Sequence, residues 1–318
     1  MAAWVSRPWR RPASLAASRK ESTKGYVYAI VGSVCAGSVS TLAKFSMADN
    51  NPIVVTGLGI LLSGFVLLAY QPRKRPDPGS VRYLLFFGLV GAGLAPLMYF
   101  EGLSDTTAVN ASLLANGEVL FTTIIAYTAF RERLSKGLAA RALLIVAGLV
   151  IVSTNLDLSN IAFFQSLTGN LLVIGATVLW GVENNIMAVV SKRFDASLLS
   201  KFRNLIGGGA LTAVFVGALV PLRFGEADLA ALVMLALAVA GGTYLFIAAV
   251  RRLGAIRMLL VWSSSTVFGA AFAFLFLGEQ ITWAQFLGGG LIIAGIYVFY
   301  RGEKVPEAEP FAPPVGSA

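Results

Sequence analysis

Ten apolar stretches, each about as long as a bilayer is thick, follow one another along this chain with little between them. A hydrocarbon core of roughly 30 Å takes about 20 residues of helix. Runs that fit lie at 25–47, 52–70, 81–100, 107–130, 138–154, 168–190, 198–220, 228–250, 255–277 and 281–300. The breaks carry turn chemistry or charge: Asp49-Asn50-Asn51-Pro52, Gln71-Pro72-Arg73-Lys74-Arg75-Pro76, Ser104-Asp105 and Arg131-Glu132-Arg133. The expected fold is an all-α integral membrane protein. Loops this short leave no room for a folded soluble domain.

Composition supports that reading and narrows the chemistry. The chain is 57% hydrophobic and 13% charged, where soluble domains run about a quarter charged. It has no His, which excludes His-based metal sites and His general bases, and its single Cys35 rules out a disulfide framework or a Cys cluster. A G-x-x-x-x-G-K-[ST] loop, an H-E-x-x-H helix and a nucleophile elbow are absent too. We therefore expect no enzyme, no cofactor and no metal. The +9 net charge would point to nucleic acid in a soluble protein. Here it is a matter of topology, and no nucleic-acid partner is expected.

Cytoplasmic loops of membrane proteins collect Lys and Arg. With the N-terminus in the cytoplasm and the spans alternating, 23 of the 25 Lys and Arg fall on the cytoplasmic side or at its span ends. Arg223 alone falls on the far side, and Lys44 falls within span 1. The far loops hold Asp49, Glu101, Asp105, Asp157, Glu226, Asp228 and Glu279. This bias predicts a multi-pass protein of the plasma membrane with both termini cytoplasmic. The Arg- and Ser-rich residues 1–24 read as a cytoplasmic tail, with an organellar transit peptide as the other reading of the same composition. The proline-bearing residues 302–318 read as a disordered tail.

The chain is also duplicated. Glu132-Arg133-Leu134-Ser135 followed by Leu144-Ile145-Val146-Ala147-Gly148 matches Glu279-Gln280-Ile281-Thr282 followed by Leu291-Ile292-Ile293-Ala294-Gly295, at a shift of 147 residues. That shift lays span 4 on span 9 and span 5 on span 10, giving repeats at 25–155 and 168–301. Five spans is an odd number, so the second repeat enters the membrane upside down. The chain is expected to be ten transmembrane helices as an inverted five-plus-five repeat. In such architectures the binding site lies near the midplane, at the repeat interface.

Residues Ala108 to Ser153 resemble the EamA-type repeat of the drug/metabolite transporter superfamily. The likeness rests on Leu113-Leu114-Ala115-Asn116-Gly117-Glu118-Val119-Leu120-Phe121 and Phe130-Arg131-Glu132-Arg133-Leu134-Ser135. In the second copy it rests on Ser263-Ser264-Ser265-Thr266 and Phe276-Leu277-Gly278-Glu279-Gln280-Ile281, with Trp180-Gly181 in span 6. The resemblance covers about residues 25–301 and implies a ten-helix carrier in a bacterial or archaeal plasma membrane, often exporting metabolites. Several positions depart from the pattern: Val119 stands where a Pro is usual, Ser265 stands opposite Glu118, and the first half has Ala36-Gly37 for Trp180-Gly181. The small multidrug resistance branch places a carboxylate in its first helix, and span 1 has none.

A charge at the centre of a membrane helix costs on the order of 2.5–3.5 kcal/mol on insertion scales and marks function by default. Glu118, at the middle of span 4, is a candidate contact for a substrate ammonium or a coupling proton; its structural alternative is a hydrogen bond tying two helices. Glu183 shares a helical face with Trp180, Asn184 and Met187, at the spacing i, i+3, i+4, i+7. That face suits a small solute with polar and apolar parts. Its alternative is a clamp in which Glu183 pairs with Lys192 or Arg193. Lys44 either snorkels to the headgroups, neutralises Glu118 or Glu183 in one state of the cycle, or binds a substrate carboxylate. Asn110, Asn116 and Ser263 to Thr266, Ser265 included, are candidate cavity liners, and Tyr99 and Tyr244 are candidate gates at matching places in spans 3 and 8. Pro96 is expected to kink span 3.

The expected function is secondary active transport of a small metabolite, with proton-coupled export as one form of it, by a monomer or homodimer in the lipid bilayer. A non-transporting receptor or scaffold is the alternative. The discriminating feature is whether Glu118 and Glu183 face a common solvated cavity, since a scaffold would bury them as paired clamps with no path to water.

Overall fold

The structure, a computed structural model, describes residues 15–69, 81–130, 138–154, 156, 161–190 and 194–302. Residues 1–14 and 303–318 of the tails, Glu132, Lys192 and Arg193 lie outside the described residues. Those described are helical, with no strand among them. The spans run Leu15–Ser46, Pro52–Val66 with a short continuation Leu67–Ala69, Val81–Ser104 in three pieces, Ala108–Leu114 with Gly117–Phe130, and Leu138–Thr154. In the second half they run Ile161–Val190, Ala196–Gly217, Glu226–Leu253, Ala255–Trp262 with Ser265–Phe272, and Trp283–Gly302. Span 1 starts ten residues, and span 6 seven residues, before the bounds expected from hydropathy: a largely polar segment continues the helix ahead of span 1, and the mostly apolar Ile161-Ala162-Phe163-Phe164-Gln165-Ser166-Leu167 does so ahead of span 6.

Helix starts are set by local chemistry. Asn51 Oδ1 accepts from Ile53 N at 3.0 Å ahead of Pro52, whose missing N–H costs nothing in a first turn. Thr107 Oγ1 takes Asn110 N at 3.0 Å, and Asp195 Oδ1 takes Ser197 N at 3.2 Å. Spans 1, 2, 3, 4 and 8 contain helices long and apolar enough to cross a membrane. Spans 6 and 7 have the length but carry Asn170, Glu183, Asn184, Lys201 and Asn204, all buried inside the bundle. Outward the helices present large apolar groups instead, among them Leu143, Leu275 and Phe286, each about two-thirds exposed at 65%, 67% and 66%. In water that pattern would aggregate, whereas in lipid it is the solvated surface.

Packing follows the duplication. Span 1 packs on spans 8 and 9, and span 6 correspondingly on spans 3 and 4. Span 2 packs on span 8 as span 7 does on span 3, while spans 2 with 7 and 5 with 10 pair across the repeat. Glycines permit the same close crossings in both halves: a Cβ on Gly37 would meet Phe268 and the Ser265 carbonyl of span 9, and one on Gly181 would meet Phe121 and the Thr122 amide of span 4.

Spans 4 and 9 are both broken, at Ala115-Asn116 and Ser263-Ser264. Non-helical backbone at membrane depth is tolerated where protein covers it or a cavity needs it. The two breaks are joined, because the Asn116 amide donates to Thr266 Oγ1 at 2.5 Å. Glu279 ties the halves a second time. Its carboxylate accepts from Ala108 N at 2.9 Å and Val109 N at 3.0 Å, capping the first turn of span 4 from the loop before span 10. Glu279→Ala removes both bonds and the favourable dipole contact, and is expected to cost about 1–2 kcal/mol. Denaturant unfolding in detergent measures this, and an unchanged midpoint would refute it.

Candidate functional site

A cavity of ≈ 200 Å³ lies where the two repeats meet. Its wall is built from equivalent positions of both repeats. Tyr99 has Phe246 as its counterpart, Ala115 has Trp262, Glu118 has Ser265, and Glu183 has Ala36, each pair 147 positions apart. The axis relating the halves therefore runs through the cavity. The chemistry is one-sided: Glu118, Glu183, Asn184 and Arg203 come from spans 4, 6 and 7, while spans 1, 2, 8 and 9 supply neutral groups.

Trp180, Glu183, Asn184 and Met187 all line the cavity from span 6. The Asn184 amide donates to Glu118 Oε1 at 2.5 Å and to Thr122 Oγ1 at 3.3 Å. That bond orients Glu118 without neutralising it. Asn185, on another face, donates to the Thr122 carbonyl at 2.8 Å and the Gly181 carbonyl at 2.9 Å, clamping spans 4 and 6. Two aromatic pairs complete the wall: Tyr99 with Trp180, ring centroids 5.6 Å apart, and Phe246 with Trp262 at 4.8 Å, edge to face.

Glu183 is held by Arg203. The pair is bidentate, with Nε donating to Oε1 at 2.6 Å and Nη2 to Oε2 at 3.0 Å. Nη2 also donates to the Gly91 carbonyl at 2.7 Å, which receives Trp180 Nε1 at 3.2 Å as well. Nη1 reaches Asn204 Oδ1 at 3.3 Å, and Asn204 in turn donates to Ser63 Oγ at 2.9 Å. Two glycines make room. A Cβ on Gly207, one turn past Arg203, would collide with the Ala92 and Gly88 backbone, and a Cβ on Gly91 would overlap the Glu183 carboxylate.

Several expectations are corrected here. The partner of Glu183 is Arg203. The sequence reading counted Arg203 among cytoplasmic charges, although it lies two turns inside helix Ala196–Gly217. The missed signal was its depth within the span bounds already drawn. Lys44 does not line the cavity. It is half-buried at the end of span 1, and the charges acting on it are Glu279 and Asp105, because the helix carries it past the cavity to the loop level. Asn116 faces span 9 instead of the cavity. Asn110 joins Gln285 and Thr106, with Gln285 Nε2 donating to its Oδ1 at 2.8 Å. The cavity counterpart of Tyr99 is Phe246, and Tyr244, two residues earlier and so on another face, packs with Leu84, Phe87 and their neighbours. Pro96 is preceded by a widened helical stretch, Phe87–Leu94, in which bonds reach five residues back.

Known proteins share this plan. The EamA-like transporter family matches residues 23–154 and again 167–301. An uncharacterized transporter of Methanothermobacter thermautotrophicus is 28% identical over 304 residues, covering 88% of this chain and 87% of that one. A probable amino-acid metabolite efflux pump of Salmonella typhimurium is 26% identical, covering 82% and 90%. A solved crystal structure superposes with a TM-score of 0.64 at 18% identity, over 89% of this chain and 99% of that one, and shares the fold. Two matched repeats, the paired packing of their helices and a cavity on the axis between them lead to one assignment: the chain belongs to the EamA-like transporter family, as a multi-pass membrane transporter.

Proposed function

We propose that this transporter is a secondary carrier that moves a small metabolite across the plasma membrane by alternating access, with both termini in the cytoplasm. The repeats 25–155 and 168–301 are the two bodies whose equivalent conformations give inward- and outward-open states. Glu118 is the group that meets a solute ammonium or a coupling proton, and the aromatic pairs receive the apolar part. Asn184 orients Glu118, and Ser265 is the neutral counterpart on the opposite wall.

One observation carries this reading: Glu118 and Glu183 line a single cavity whose wall is drawn from both repeats. A scaffold or receptor needs neither the shared cavity nor a carboxylate in it without a cationic partner. The name of the Salmonella relative and the mixed polar and aromatic wall both favour an amino-acid-like metabolite, with export as the working direction.

The test uses purified protein in liposomes loaded with a pH-sensitive dye. Pools of amino acids and their derivatives, organic cations and neutral metabolites are added in turn. Solute-dependent proton flux from at least one pool is expected. If no pool either moves protons or binds to the protein, the carrier reading is refuted in favour of the scaffold.

A further inference from the structure

The Gly91 carbonyl lacks a helical donor for a covalent reason. In an α-helix its partner would be the N–H four residues on, at Ala95. That N–H is bonded one residue further back, to the Val90 carbonyl. In the widened helix the partner would be five residues on, at position 96, and proline has no N–H. A buried carbonyl left in this position must find donors elsewhere. It takes two, Arg203 Nη2 at 2.7 Å and Trp180 Nε1 at 3.2 Å, and both residues line the cavity.

The consequence falls on Glu183. The same Arg203 nitrogen that bonds Gly91 also bonds Glu183 Oε2. The carbonyl therefore fixes the plane of the guanidinium, and the plane fixes the bidentate pair. The titratable groups around Glu183 are Arg203 from span 7, Glu118 from span 4 and Tyr99 from span 3, with no other cation among the cavity-lining residues. With Arg203 committed to Glu183, Glu118 has an amide partner and, among the described residues, no ion-pair partner, Arg203 acting on it only from across the cavity.

We propose that Pro96 is a positioning residue for the charge of the cavity: by stripping the Gly91 carbonyl of its helical donor it locks Arg203 onto Glu183, and so leaves Glu118 as the one carboxylate that a solute or proton meets. This rests on the reading of Glu118 given above. It adds that the cavity is matched to a single positive charge per cycle. It also assigns Gly91 and Pro96, five residues apart on span 3, to one device.

Carboxyl reactivity tests this without a known solute. Dicyclohexylcarbodiimide partitions into lipid, and a carboxyl O–H adds across one of its C=N bonds. The O-acylisourea that forms rearranges to a stable N-acylurea, with nothing lost, and peptide mass spectrometry locates it. A carboxylate held in a guanidinium fork is protected. In the intact protein in liposomes, Glu118 is expected to be labelled and Glu183 to be spared.

Pro96→Ala restores an N–H for the Gly91 carbonyl and frees Arg203. Labelling of Glu183 should rise roughly tenfold or more, the equilibrium equivalent of one lost hydrogen bond to a charged group. Lactic acid at position 96, which removes the N–H without the proline ring, should keep Glu183 spared. This second variant separates the missing donor from any bend the ring imposes, and stands as a test if Pro96→Ala does not fold. Glu183 staying protected in Pro96→Ala, or being labelled in the lactic acid variant, overturns the proposal. Absence of labelling at Glu118 in the unmodified protein would instead count against Glu118 as the solute- or proton-binding group, and leave the effect on Glu183 to be read separately.

Discussion

Glu118→Gln is expected to abolish solute-dependent proton flux while leaving the protein folded. The glutamine oxygen still accepts from the Asn184 amide, the bond that positions this side chain, and the volume is unchanged, so packing of spans 4 and 6 survives. What is lost is the one carboxylate of the described cavity lining that is not held in an ion pair. A single side chain that transfers a proton commands on the order of 10²-fold or more in rate, and flux should fall by at least that much. Glu183→Gln provides the contrast. It leaves Arg203 without its anion and perturbs stability first, so its flux defect should track the folded fraction. Liposome flux normalised to correctly folded protein separates the two. Full flux in Glu118→Gln would remove this residue from the mechanism.

Much of the fold was legible because the bilayer imposes a simple rule. Apolar length gives the spans and a residue count at a fixed shift gives the repeat. The match of Glu118 to Ser265 at 147 residues recurs as two positions that line one cavity. The face made by Trp180, Glu183, Asn184 and Met187 was also readable, since helical spacing alone places them together. Hydropathy was less informative where a charge near a span end had two fates. Lys44 sits in the last turn of its helix, whereas Arg203 lies two turns inside its own. One extends toward the loop level and the other turns into the bundle, because Gly207 brings span 3 within reach of Arg203. That difference depends on which helix lies opposite, which no single span encodes. The role of the Gly91 carbonyl was hidden for a related reason: a backbone acceptor has no letter in the sequence, and only the spacing to Pro96 hinted at it.

Arg203→Ala is the substitution expected to damage stability most. Its side chain is 13% exposed and that of Glu183 is 3% exposed, so truncation leaves a carboxylate in a nearly dry site and takes one of two donors from the Gly91 carbonyl. Breaking a buried pair from one side costs about 3–5 kcal/mol. Replacing both partners by neutral groups of similar size is often close to neutral. Glu183→Gln with Arg203→Met should therefore recover most of the loss seen in Arg203→Ala. Equilibrium unfolding of Glu183→Gln, Arg203→Met and their double variant in mixed micelles gives the coupling energy, which should exceed about 1 kcal/mol for groups in direct contact. Additive costs would mean that the pair contributes no more than its separate packing. Function then divides the two carboxylates. The neutral double variant keeps Glu118 and one net negative charge in the cavity, so its flux should stay within about tenfold of the original protein, the effect of roughly 1.4 kcal/mol. Arg203→Ala, with two uncompensated carboxylates facing the solute, should lose far more than its folded fraction accounts for. A double variant as inactive as Glu118→Gln would place Glu183 and Arg203 in direct contact with the solute.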